Sequence, residues 1–276
     1  MNTKLRLEYL STYFLTLFNY FAEPIKTEIM NNTYFTRRTI RKYEERDIDS
    51  ALLERILKAG TRSSTTGNMQ VYSIIVTQDP EMKRKLAPAH FNQPMVTEAP
   101  VVLTFCADFS RFKKWCRQRD AEPGYDNFLS FMTAAIDALI VAQTVCTAAE
   151  EEGLGICYLG TATYNAGQII EVLELPSGVV PVATVTMGWP AEVPDQPDRL
   201  PLEAVVHYET YRDFTPEMID DLYREKEGRE DSRQFIAENG KQTLAQVFTD
   251  VRYSKADNEH FSARYLEVIR KQGFVL

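Results

Sequence analysis

The chain has 276 residues, 44 % of them apolar and 25 % charged, with a formal net charge of −8. That composition supports a sizeable soluble core, and the acidic balance argues against the broad basic face that duplex nucleic acid requires. Four cysteines without a CxxC pair and three scattered histidines argue against a disulfide scaffold or a Cys/His zinc centre, and they fit a reducing cytoplasm.

The first candidate element is residues 9–21, rich in Leu, Phe and Tyr but interrupted by Ser11, Thr12, Thr16 and Asn19. It is shorter than the ~20 apolar residues of a membrane span, and Phe21-Ala22-Glu23-Pro24 is a poor cleavage site. An amphipathic helix is expected there, inside an N-terminal extension covering residues 1–26. Next comes Arg37-Arg38-Thr39-Ile40-Arg41-Lys42, which carries four positive charges in six residues. Cations grouped so tightly on an acidic chain suit a local anion such as a phosphate monoester, with planar forks for the oxygens and a hydroxyl between them. A solvated basic turn, balanced by Glu44, Glu45 and Asp47, is the alternative.

Asp49 or Ser50 can cap a helix through Leu52, Leu53, Ile56 and Leu57, with Gly60 as its stop. Residues 61–68 are polar and show no apolar period. Residues 71–76 read as a buried strand, 81–86 as a short helix, and 100–106 as a second strand apolar enough to be central. Residues 131–152 form the longest helical pattern; its many alanines imply the close approach of a neighbour, and Gly153 caps it. A helix over 165–173 and a third strand over 179–187 follow, then a highly charged helical stretch over 215–238. Strands alternating with helices leave α/β and α+β both open.

Gly153-Leu154-Gly155 with Gly160 beyond is not a dinucleotide fingerprint: the third glycine falls late, and the motif follows a helix instead of opening one. Three histidines far apart build no nucleophile triad. No catalytic side chain and no metal ligand is therefore assigned, and the reactive chemistry is expected from a cofactor. Arg199, between Pro197 and Pro201, is a cation on a stiff loop.

Taken in order, these segments resemble the nitroreductase superfamily, in its NADPH-dependent flavin reductase and oxygen-insensitive nitroreductase branch. The likeness is carried by Arg37-Arg38-Thr39-Ile40-Arg41, the Ser/Thr-rich loop ahead of Gln70, and Phe105-Cys106-Ala107-Asp108-Phe109. It continues in Gly153-Leu154-Gly155 leading to Tyr158-Leu159-Gly160-Thr161, in Gly188-Trp189-Pro190-Ala191, in Arg199-Leu200-Pro201, and in Arg270-Lys271-Gln272-Gly273-Phe274. The resemblance implies an α+β nitroreductase-like fold, a central, mostly antiparallel sheet flanked by helices with a C-terminal extension. It makes residues 27–276 a homodimeric FMN-binding domain with a charged excursion over 213–243.

The same resemblance implies hydride transfer from NADPH or NADH through FMN to a nitroaromatic, quinone or flavin, in two half-reactions. A flavin- or partner-binding protein without turnover, or a specialised member with another acceptor, are the alternatives. By this likeness Arg37, Arg38, Thr39 and Arg41 hold the phosphate and ribityl chain of FMN, with Arg199 as a further cation. Thr65 and Gln93 sit near the isoalloxazine ring, Tyr158, Leu159, Gly160 and Thr161 line it from the partner side, and Asn68 and Gln70 are secondary candidates. Arg233 is placed for the 2′-phosphate of NADPH. Three places depart from the pattern, the first being Arg37, which stands where histidine is usual. Pro197-Asp198-Arg199 stands where Lys-Pro-Arg is usual, and Thr161 stands where glycine is usual.

Overall fold

The computed structural model describes residues 33–276; the helix expected within residues 9–21 lies outside them. The described residues fall into a short first unit that ends at Arg37 and a large second unit, Arg38–Leu276. The first holds the single-turn helix α1 (Thr33–Thr36), on which Tyr34 and Phe35 are exposed.

In the second unit, α2 (Ser50–Gly60) begins where the Asp49 carboxylate accepts from the Ala51 and Leu52 amides at 2.9 and 3.1 Å, satisfying two otherwise orphaned donors. Then follow β1 (Tyr72–Thr77), α3 (Pro80–Leu86), α4 (Met95–Glu98), β2 (Val101–Asp108) and α5 (Ser110–Arg117). The long α6 (Phe128–Glu151) leads into β3 (Gly155–Leu159), α7 (Ala166–Val172) and β4 (Val179–Gly188). The four strands lie in the order β1-β2-β4-β3, and every neighbouring pair is antiparallel. This is an α+β arrangement.

Both faces of the sheet are covered. Ile156 on β3 joins the cluster built with α2 and α6, while its neighbours Cys157 and Leu159 turn to Leu86 and Ile169 on the other side. Every residue of the inner strand β2 is buried, which is why its sequence is a near-continuous apolar run, broken only by Thr104 before Asp108 ends it, and not an alternating one. The other inner strand, β4, contains Pro181, which has no N–H for the ladder. Phe105 pairs with Ala183 but Cys106 with Pro181, so Val182 is the extra residue of a bulge that accommodates the proline.

Ala134, Ala138, Ala142 and Ala149 of α6 are fully buried, and their small size lets the helix lie close to the sheet. Gly60 extends the same logic. A Cβ there would fall 2.3 Å from Val145 Cγ2, so Gly60 is a packing glycine where α2 meets α6, and Thr61 takes the cap. Gly153, at φ +82°, ends α6 as expected. On the opposite face of α6, Leu129, Met132, Ile136, Leu139 and Ile140 stand 37–75 % exposed.

Beyond β4, α8 (Pro216–Gly228) and α9 (Glu230–Glu238) meet at an extended Arg229, and α10 (Leu244–Val247) and α11 (Lys255–Lys271) follow. The apolar tail folds back on its own unit: Phe274 is buried with Phe131 and Ile269, and Val275 N donates to Asp126 O at 2.7 Å.

Gly60→Ala should destabilise the protein by about 1–3 kcal/mol, the usual cost of overpacking. That outweighs the roughly 1 kcal/mol by which alanine is the better helix former, because Val145 is stiff and cannot withdraw. Urea unfolding monitored by far-ultraviolet circular dichroism measures it.

Candidate functional site

The arginine segment is pinned by backbone bonds to β3 and to the stretch that follows β4. Ile40 N donates to Ile156 O at 3.0 Å, Glu44 N to Trp189 O at 2.9 Å, and Ala191 N to Lys42 O at 3.0 Å. Two glycines make this possible. A Cβ on Gly155 would lie 2.5 Å from Ile40, and one on Gly188 would lie 2.7 Å from Tyr43. The Tyr43 hydroxyl donates to Ile40 O at 2.9 Å and sits 2.7 Å from Thr186 Oγ1; burial raises its pKa, so it remains a neutral donor. Ile40 turns into the core, leaving Thr39 half-buried and Arg41 exposed.

Arg38 Nη1 donates to Pro194 O at 3.0 Å, and Lys42 pairs with Glu192 at 2.8 Å. These contacts draw in the loop after β4, which carries the exposed Arg199. Arg37 is half-buried at the end of the first unit. The acid that enters this loop has its own counter-charge. Lys226 of α8 donates to Asp198 at 2.8 Å, with the side chains only 28 % and 23 % exposed. That hydrogen bond holds the Asp198 carboxyl below the usual carboxylate range. The departure visible in the sequence is thus balanced by a lysine 28 residues further on.

A second group of residues gathers around the end of β3. His90 Nδ1 lies 2.8 Å from Thr161 Oγ1, and Asn165 Nδ2 donates to Ala89 O at 3.0 Å. The two bonds clamp the loop carrying Gln93 to the stretch from Tyr158 to Thr161. Tyr158 is 37 % exposed, and a Cβ on Gly160 would meet nothing within 4 Å, so the backbone there is open to a ligand. Leu159 turns its side chain into the core, which leaves only its backbone for binding. Gln93 follows Phe91 and Asn92, both at φ 53°, a left-handed conformation that residues with side chains hold only when their surroundings enforce it.

Thr65 is half-buried just ahead of the turn over residues 66–68. Asp137, 1 % exposed in α6, accepts from the Thr66 amide at 3.0 Å and the Thr66 hydroxyl at 3.2 Å. Asn68 and Gln70 are again left-handed, at φ 55° and 53°, and Arg111 reaches the Gln70 carbonyl. Arg233 is exposed on α9, and among the described residues no side-chain hydrogen bond links it to either group.

Asp137, Tyr43 and His90 escape the sequence reading. Asp137 did carry a signal, being the only charged residue between Asp126 and Glu150. His90 and the Tyr43 link to Thr186 carried none, since those contacts span 71 and 143 residues. Chemically, arginines with a hydroxyl suit a phosphate monoester, and open backbone beside Tyr158 suits a planar group. Burial lowers the pKa of His90 to about 4, so its imidazole is neutral and supplies no general acid.

A sequence model of the nitroreductase family matches residues 34–189, more than half of the chain. The chain is 35 % identical over 212 residues to the FMN reductase (NADPH) of Bacillus subtilis, covering 71 % of this chain and 85 % of that one. It is 34 % identical over 182 residues to the oxygen-insensitive NADPH nitroreductase of Salmonella typhimurium, covering 66 % and 74 %. A crystal structure from Bacteroides fragilis superposes with a TM-score of 0.88 at 58 % identity, covering 89 % of this chain and all of that one.

The Lys226–Asp198 pair has a defined pH signature. Because the pKa of folded Asp198 is depressed, its stabilisation is present above the unfolded value of ~3.9 and is lost as pH falls through the lowered folded value. Lys226→Met should therefore melt below wild type near neutrality, with the gap closing on acidification to about pH 2. Thermal unfolding across that range measures it, and a constant gap would assign the loss to packing.

Proposed function

The chain belongs to the nitroreductase family, and we propose that it is an FMN-dependent NAD(P)H oxidoreductase of the cytoplasm, acting on a nitroaromatic, quinone or flavin acceptor. The observation that carries this reading is the layout of β3. Its first residues dock a hydroxyl-bearing arginine segment, and its last lead to open backbone at Gly160.

The residues present fit FMN. Arg38, Thr39, Arg41 and Arg199 would hold the phosphate and ribityl chain through charge-assisted hydrogen bonds. Thr65, Gln93, Tyr158, Gly160 and Thr161 would line the ring. Bound there, FMN supplies the acceptance and delivery of hydride. The chain's own part is to orient. Docking the arginines on β3 fixes where the phosphate end lies, and the clamps at His90 and Asp137 hold the loops whose geometry decides stacking. Arg233 is the cation offered to the 2′-phosphate of NADPH. No side chain in either group serves as an acid or base, so the reductant and the acceptor take turns at one open face.

We infer a second copy of the chain as partner. The exposed apolar residues of α6 form one stripe, since positions 129, 132, 136, 139 and 140 share a helical face. Asp137, which tethers the Thr65 loop, lies on the same helix, so a second copy seated on the stripe stands next to that loop and completes the site.

Purified protein should bind FMN with quenching of its fluorescence and oxidise NADPH when a quinone is added. Arg38→Ala should weaken FMN by about 1.5–3 kcal/mol, the scale of a charged hydrogen bond. Failure to bind FMN overturns the reading, and binding without NADPH oxidation makes the protein a flavin binder. For the dimer, Ile136→Glu should sediment as a monomer and lose FMN, whereas a wild-type monomer fully loaded with FMN would contradict the shared site.

A further inference from the structure

Thr161 stands next to the open backbone of Gly160, and among the described residues its hydroxyl bonds to His90 alone. His90 is fully buried, 0 % exposed, and its Nε2 has no hydrogen-bond partner. A neutral imidazole carries one N–H, and burial keeps this ring neutral.

Two arrangements fit the 2.8 Å contact between Nδ1 and Thr161 Oγ1. In one, Thr161 donates to Nδ1, and the ring N–H sits on Nε2, buried without an acceptor. In the other, Nδ1–H donates to Thr161, and Nε2 is left with an unfilled lone pair. Among backbone groups, orphaned buried N–H donors are rarer than under-satisfied carbonyls, and the same preference applied to the ring favours the second arrangement. Thr161 then cannot direct its own hydrogen at His90. As the residue is half-buried, that hydrogen goes to the open side.

We propose that His90 is a positioning residue that makes the Thr161 hydroxyl an outward hydrogen-bond donor to the edge of the flavin ring. The proposal rests on the FMN reading above and deepens it, because glycine at position 161 could offer no such donor. A donor at the ring's edge favours the more electron-rich reduced ring over the oxidised one, as hydrogen bonds strengthen when the acceptor gains charge. His90 itself touches no ligand and acts only through Thr161.

Three measurements test it on the full chain. The first is the 15N shifts of a histidine-labelled sample without FMN, which should show His90 protonated on Nδ1 and bare on Nε2; the reverse assignment overturns the proposal. The second compares dissociation constants for oxidised and reduced FMN. Thr161→Val should weaken reduced FMN about threefold to tenfold with oxidised FMN little changed, and Thr161→Ser should stay near wild type. The third reads the same ratio as a potential: a tenfold loss lowers a two-electron couple by about 30 mV. Equal weakening of both redox forms, or none, overturns the donor role while leaving the FMN reading in place. A wild type that binds no FMN defeats that reading instead, and the tautomer still decides the part played by His90.

Discussion

Arginines repel one another, and a backbone anchor holds those of this segment in one place. The anchor is the contact of Ile40 and Tyr43 with Gly155 and Gly188, where any side chain would collide at 2.5 to 2.7 Å. From it follow the ladder bonds to Ile156 and Trp189, the Tyr43 link to Thr186, and the approach of the Arg199 loop through Pro194 and Glu192. Backbone bonds and close packing fix the arginine segment, and the Lys42–Glu192 ion pair and the Arg38 bond to Pro194 then bring the Arg199 loop to it. Electrostatics thus acts on a segment whose geometry is already fixed.

The second group of residues is held differently. Four residues with side chains, Asn68, Gln70, Phe91 and Asn92, adopt left-handed backbone angles, each at some cost. The loops that contain them are tied down by buried polar groups: Asp137 on the Thr66 amide and hydroxyl, and His90 and Asn165 across to the end of β3. Strain and tether belong together, because without the buried acceptor or donor the loops would relax to ordinary turns. The protein spends buried polarity here to gain fixed shape, and preorganised shape is what stacking of planar groups demands.

Much of the fold was legible in the amino-acid order because the signals were local. Asp49 before Leu52 and Leu53, the near-continuous apolar run of β2, and Gly153 after α6 each express their structure within a few residues. The arginine cluster was legible for the same reason. Gly60 does close α2, but its second role was hidden, because a glycine that lets another helix approach looks like any helix-ending glycine until the neighbour, Val145, is known. The α/β or α+β question needed the strand order, which depends on pairings as distant as β2 with β4. His90 was illegible on the same ground, as was the link from Tyr43 to Thr186, because both depend on partners distant in sequence.

The contact of Lys226 with Asp198 makes two distant stretches of chain a single exchangeable unit. The excursion helix α8 supplies the charge that the loop before Arg199 lacks, so neither stretch is interchangeable alone with that of a relative carrying Lys-Pro-Arg. A chimera given a foreign excursion without Lys226 would leave a carboxylate uncompensated beside the arginines. One given a foreign loop would leave a half-buried ammonium without its acceptor. Any graft across this seam must therefore carry residues 198 and 226 together.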